Sequence, residues 1–250
     1  NHCSSPMGVR RLIDRLTNPW HRKERVEEAH SQVQAFYDLG TKGVDQLKNT
    51  LKGMGDLERL STRVVAERAT PLELSRLRKG LLQTFQFVKD LKTLGVSLAS
   101  LGKEHQALKD CAQPFDFLNR ALKDEPSTCG DGNGVFRQGF HGPLDEACSL
   151  AGDGGSRVDK YQDELRQETG IQNLKVKRHK TFGLLIEVTK SKLSLVPSNF
   201  VRRQTMVNCE RFVTVELQEL DETLSEATDK AIAIERELYE RLLKRLGEMC

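Results

Sequence analysis

Residues 175–190, KVKRHKTFGLLIEVTK, decide how this chain is organised. Leu174 and Val176 alternate with Lys175 and Lys177. Phe182, Leu184, Ile186 and Val188 then alternate with Gly183, Leu185, Glu187 and Thr189. A two-residue period with one apolar and one mostly polar face is the mark of a half-buried antiparallel sheet. FVRRQTMVNCERFVT, residues 200–214, continues the extended reading after a turn at Pro197-Ser198-Asn199. Phe182 is expected on the apolar face, and Leu185 stands on the outer one as if it met another neighbour.

On either side the period changes to that of a helix. SSPMG ahead of VRRLIDRL puts Ser and Pro at a helix start. One long helix is expected over 23–51, with Val26, Val33, Phe36, Val44 and Leu47 on its buried side, and a short one in GDLERLSTRVV. In TPLE, Thr70 caps, Pro71 fills the first turn and Glu73 completes a capping box. The helix it opens carries Leu74, Leu77, Leu81, Phe85, Val88 and Leu91, with more helix through about Lys123. KDEPSTCGDGNG, residues 123–134, reads as a loop or linker. A helix from Pro143 should bend or break at GDGG, 152–155, and stop at Gly170. After Thr214, Leu217, Leu220, Leu224, Ala227, Ala231, Ile234 and Leu238 recur in steps of three and four, a coiled-coil seam in one long helix to Met249. Its expected partner is the helix ending at Gly170, because the sheet joins the two antiparallel.

The resulting fold class is mainly α: an elongated helical core whose long antiparallel lever helices carry a small inserted antiparallel β-sheet. Residues 1–168 form the first part of the core, 169–214 the insertion, and 215–250 the returning helix. The composition, 37% hydrophobic and 30% charged with few aromatics, agrees with a helix-rich protein rather than a compact enzyme. No apolar run approaches the roughly 18 residues of a membrane span, and no targeting segment opens the chain, so no membrane partner is expected. The lack of an initiator Met and of a helix stop before Cys250 reads as a piece of something longer. The six cysteines form no CxxC pair and stand at no zinc-ligand spacing from a histidine, so reduced thiols and no metal are expected.

Charge separates the insertion from the rest. The segment 171–214 holds nine cations against Glu187 and Glu210, a net +7, whereas the remaining 30 Lys and Arg face 34 Asp and Glu. A concentrated basic patch suits a polyanion, and Lys and Arg neutralise phosphates without reading sequence. The only aromatics there are Phe182, Phe200 and Phe212, which disfavours base stacking on a single strand.

TGIQNLKVKRHKTFGLLIEVTKSKLSLVPSNFVRRQTMVNCERFVTVELQELDETL, residues 169–224, resembles the clamp of MutS-type DNA mismatch repair proteins, with its TGI, LKV, FG and IEVTK followed by VP, QT and N.ER. PMGVRRLIDRLTNPW, GDLERLSTRVVAERATPLELSRLRKGL and FRQGFHGPLDEA resemble the family's core, so the likeness covers nearly the whole chain. Two departures stand out: Val207 where the family often has Lys, and RHKTFGLL where YNKVFGYY is usual. The resemblance implies a core or lever domain interrupted by a clamp that grips double-stranded DNA through its backbone. It also implies levers connecting the clamp to a mismatch-reading and an ATPase domain, and a MutS-family partner subunit in a homo- or heterodimer. Carried over by position, the implied DNA-binding residues are Lys175, Lys177, Arg178, His179, Lys180, Lys190, Lys192, Arg202, Arg203, Asn208 and Arg211. Lys177, Arg178, Arg203 and Asn208 are the favoured phosphate contacts.

No GxxxxGK[ST] phosphate loop is present; Gly134 and Gly139 have the spacing, but Phe140 and His141 follow. Catalysis is therefore not expected of this chain, and ATP and Mg are expected only in the family's ATPase domain. Glu187 reads as a surface strand residue, Glu73 as a capping carboxylate, and Asp56 with Glu58 as a solvated helix face. His141 lacks a catalytic companion, and His2 and Cys3 stand at the terminus. The alternative function is a coiled-coil scaffold whose basic tip meets an acidic protein. A nucleus is the favoured compartment, with bacterial cytoplasm or mitochondrion as alternatives.

Overall fold

The structure, a computed structural model, describes residues 3–96, 110–179 and 181–249. It divides into two compact units, Asn1–Phe140 with Arg236–Cys250, and His141–Glu235. It is mainly helical with one small antiparallel sheet.

The first unit begins with α1 (Pro6–Thr17), where Ser5 Oγ accepts from the Gly8 N–H at 3.1 Å and Pro6 occupies the first turn. The expected long helix is instead two, α2 (Lys23–Tyr37) and α3 (Gly40–Leu51). The chain turns at Leu39 and Gly40, whose φ of +64° lies in the left-handed region that glycine enters without a Cβ penalty. Val33, expected inside, is exposed, while Phe36 and Leu39 pack against the cluster of Leu47, Leu91 and Val96. Then come α4 (Leu57–Val65) and α5 (Pro71–Thr93), the latter with the full capping box. Glu73 Oε2 accepts the Thr70 N–H at 2.9 Å. The helix expected through Lys123 cannot be followed over 97–109, which lie outside the described residues; α6 (Ala112–Ala121) follows them.

The 123–134 segment is a pinned loop. Buried Arg78 of α5 donates to the carbonyls of Leu122, Lys123 and Asp124 at 3.0–3.1 Å, and Arg137 donates to the Leu122 carbonyl at 2.6 Å. Within the loop Ser127 N–H donates to the Gly134 carbonyl at 2.9 Å.

The second unit starts with α7 (Gly142–Gly152), capped by the His141 ring, whose Nδ1 accepts from the Leu144 N–H at 3.3 Å. The expected interruption falls at Asp153, and α8 (Gly154–Thr169) ends at Gly170 with φ +70°. Four strands follow: β1 (Lys175–His179), β2 (Gly183–Thr189), β3 (Val201–Thr205) and β4 (Cys209–Val213), all neighbours antiparallel in the order β1-β2-β4-β3. A short 3-10 helix, Lys190–Leu195, separates β2 from β3. The last helix, α9 (Val215–Gly247), runs 33 residues, about 50 Å at 1.5 Å per residue.

Leu184, Ile186, Val188 and Phe212 of the sheet meet Leu165 of α8 and Leu217 and Leu224 of α9 in one core. The two helices approach each other at Gly154, where a Cβ would stand 3.0 Å from Leu224 Cδ2. Tyr161 and Thr214 hydroxyls join them at 2.6 Å. Phe182 is a correction: it sits exposed in the β1–β2 turn, its ring 5.1 Å from His179, because the turn ends the alternation before β2 begins. Leu185 does lie opposite the core, across from Lys177, but it is 1% exposed.

Candidate nucleic-acid interface

The register sorts the basic residues by position. Lys175 pairs with Glu187, and Thr189 pairs with Cys209, so these mark one end of the sheet. The β3–β4 turn, Met206–Asn208, stands at that same end, and the Lys190 N–H donates to the Asn208 carbonyl at 3.3 Å. His179, Phe182 and Gly183 mark the other end, where Asp221 of α9 accepts the Leu184 N–H at 3.2 Å.

Ion pairing sorts the same residues again. Glu187 is gripped from both sides: Lys177 Nζ lies 2.7 Å from Oε2, while Arg211 donates to Oε1 through Nε at 3.0 Å and Nη2 at 2.8 Å. Arg211 Nη1 reaches Gln204 at 2.8 Å, so one polar network touches all four strands. Arg178 meets Asp221 at 2.9 Å, and Arg202 meets Glu210 at 2.7 Å. Both carboxylates of the insertion are thereby neutralised. Lys175, Lys190, Lys192 and Arg203 are exposed and form no ion pair among the described residues. Three of these four stand at the Thr189–Cys209 end. Arg203 occupies a bulge in β3, between Arg202 opposite Phe212 and Gln204 opposite Arg211. Asn208 is exposed in the adjacent turn, and half-buried His179 accepts from the Thr181 N–H at the opposite end. Lys180 lies outside the described residues.

Burial alone would raise the Glu187 pKa, but the Lys177 and Arg211 donors outweigh it and hold it below the ordinary carboxylate value of 4.5. A depressed carboxylate pKa adds stability that is present above the unfolded value and lost as pH falls through the folded one. Thermal melts should therefore show the chain weakening as pH drops below about 4.5, with Glu187→Gln less stable at neutral pH but flatter over that acid range. Parallel pH profiles for the two proteins would refute this role for Glu187.

Glu58 stands exposed on the solvated helix face that the sequence suggests, while Asp56, the N-cap of α4, is partly covered. Asp56 and Glu58 both bind Arg10, with Asp56 taking Nη1 at 2.5 Å and Nη2 at 2.7 Å and Glu58 taking Nη2 at 2.6 Å. Nothing local signals this contact, since 46 residues separate Arg10 from Asp56.

Comparison with known proteins places the second unit. Residues 139–230 match the model for MutS family domain IV. This chain belongs to the MutS family. Over 99% of its length it is 35% identical to the DNA mismatch repair protein MutS of Oleidesulfovibrio alaskensis and 33% identical to that of Thermosipho melanesiensis. It is 34% identical over 94% of its length to that of Aquifex pyrophilus. The chain spans 27–30% of the length of these MutS relatives. All three are bacterial, which gives the nuclear expectation no support. No helix among the described residues is long and apolar enough to cross a membrane.

Proposed function

We propose that this chain is the core and clamp part of a MutS-type mismatch repair protein, and that it grips duplex DNA by its phosphates without reading sequence. The observation that carries the reading is the separation of paired from unpaired cations. Glu187 and Glu210 are spent on Lys177, Arg211 and Arg202, while Lys175, Lys190, Lys192 and Arg203 are left for an outside anion, with Asn208 beside them. Uncompensated ammonium and guanidinium groups on the two edge strands and on the 3-10 helix would supply counterion release without base contacts. The weight among the phosphate contacts therefore shifts from Lys177 and Arg178 toward Lys190, Lys192, Arg203 and Asn208.

The chain has no chemistry of its own in this reading. Helices α8 and α9 carry the clamp and transmit its closure to an ATPase domain, where ATP and Mg act, in a dimer with a second MutS-family subunit. The bacterial relatives favour bacterial cytoplasm as the compartment. The test is binding to a fluorescent homoduplex as salt is varied. Four phosphate contacts predict a log–log slope of roughly −4, an affinity of about 10⁻⁴–10⁻⁶ M and no preference for a mismatch. Absence of binding at low salt by the folded chain would reject the reading in favour of an acidic protein partner.

A further inference from the structure

A second basic site lies outside the clamp. The loop after α3 and the facing sides of α4 and α5 enclose a cleft of about 520 Å³. Helix α4 contributes Arg59 and Arg63, spaced by four, and α5 contributes Arg76 and Lys79, spaced by three, so each helix turns one basic stripe inward. Asp56 and Glu73 also line it, but both are already occupied. Arg10 binds Asp56 and holds its pKa down to about 2. Glu73 closes the Thr70 capping box and lies 2.8 Å from Arg63 Nε. Arg59, Arg76 and Lys79 are exposed and form no ion pair among the described residues.

Three cations thus line one cleft, and none of them is in salt-bridge contact with a carboxylate among the described residues. The walls are fixed, because α4 and α5 touch at Gly80, where a Cβ would stand 2.4 Å from Leu57 Cδ2. Like charges gathered in a concave site repel one another and raise the local concentration of anions. We infer that this α4–α5 cleft binds a terminal phosphate or short polyphosphate. Two guanidinium forks and an ammonium match the charge of nearly −2 and the several acceptor oxygens of a phosphate monoester better than a single carboxylate. The volume is that of a small-ligand site and far too small for a duplex. No aromatic side chain lines it, so bases have nothing to stack on. The same chemistry could come from a free polyphosphate or from the phosphorylated end of a nucleic-acid strand.

Isothermal titration of the full chain with tripolyphosphate at low salt tests this. Wild type should bind. Arg76→Glu/Lys79→Glu, at exposed positions of α5, should weaken binding by at least about tenfold, as expected for the loss of charge-assisted hydrogen bonds. Arg59→Gln, on the other wall, should weaken it too, and Lys190→Gln/Lys192→Gln in the clamp should not. Competition by a short 5′-phosphorylated strand, but not by its 5′-hydroxyl form, would assign the site to strand ends. Failure of both strands to compete would assign it to free polyphosphate. No heat with tripolyphosphate, equal weakening by the clamp pair, no effect of the cleft variants, or equal competition by the 5′-hydroxyl strand would each overturn the inference.

Discussion

Neutralising Lys190 and Lys192 together should make the salt dependence of duplex binding shallower by about 2 in the log–log slope, with affinity falling about tenfold or more near physiological salt. Both side chains are exposed and unpaired among the described residues, and the Lys190 backbone N–H bonds the Asn208 carbonyl in the Met206–Asn208 turn. The matched control is Lys177→Gln/Arg178→Gln, which removes the same formal charge. Those two side chains already serve Glu187 and Asp221, at 2.7 and 2.9 Å, so the control should chiefly lower the melting temperature and change the slope less. Fluorescence anisotropy titrations at several salt concentrations measure both slopes. Equal slopes for the two pairs would show that net charge alone matters and that position on the sheet does not.

Gly183→Ala should be among the most damaging single substitutions, costing about 2–5 kcal/mol. Its φ of +69° disfavours any side chain, by roughly 1–2 kcal/mol on sterics alone. An added Cβ would also stand 1.8 Å from Asp221 Oδ2. Asp221 would have to swing away, leaving the Leu184 N–H without its acceptor and Arg178 without its counter-ion. A buried donor left unsatisfied costs about 1–3 kcal/mol more. Thermal unfolding measures the loss, and hydrogen exchange should show it concentrated in β1 and β2. The double variant with Asp221→Ala should cost less than the two single changes added, because the collision is then gone. Strict additivity would mean that the contact between Gly183 and Asp221 is not the cause.

Much of this architecture was legible because its signals are local. The capping box at Thr70, the stop at Gly170 and the alternation of Leu184, Ile186 and Val188 each depend on residues a few positions apart. The break at Leu39–Gly40 was missed because the apolar spacing of Val33, Phe36, Val44 and Leu47 runs on across it, although Val33 faces solvent. The candidate interface was legible as a set of cations, but not in its division into paired and unpaired ones. Which lysines are free depends on pairs separated by 24 residues, for Arg211 and Glu187, or by the whole sheet, for Arg178 and Asp221 on α9. The Arg10 contacts with Asp56 and Glu58, like the cleft beside Asp56, arise only when α1, α4 and α5 are brought together.

The bulge at Arg203 also bears on whether copies of this chain can join through the edges of their sheets. In the order β1-β2-β4-β3 the outermost strands are β1 and β3, and an outermost strand is a template on which another chain can add itself. Here β3 is interrupted at mid-length by a bulged arginine, and β1 is only five residues long and opens on the unpaired Lys175. Irregular backbone and repelling charge both obstruct strand addition. Copies of this chain brought side by side would thus remain separate molecules instead of polymerising through their sheets.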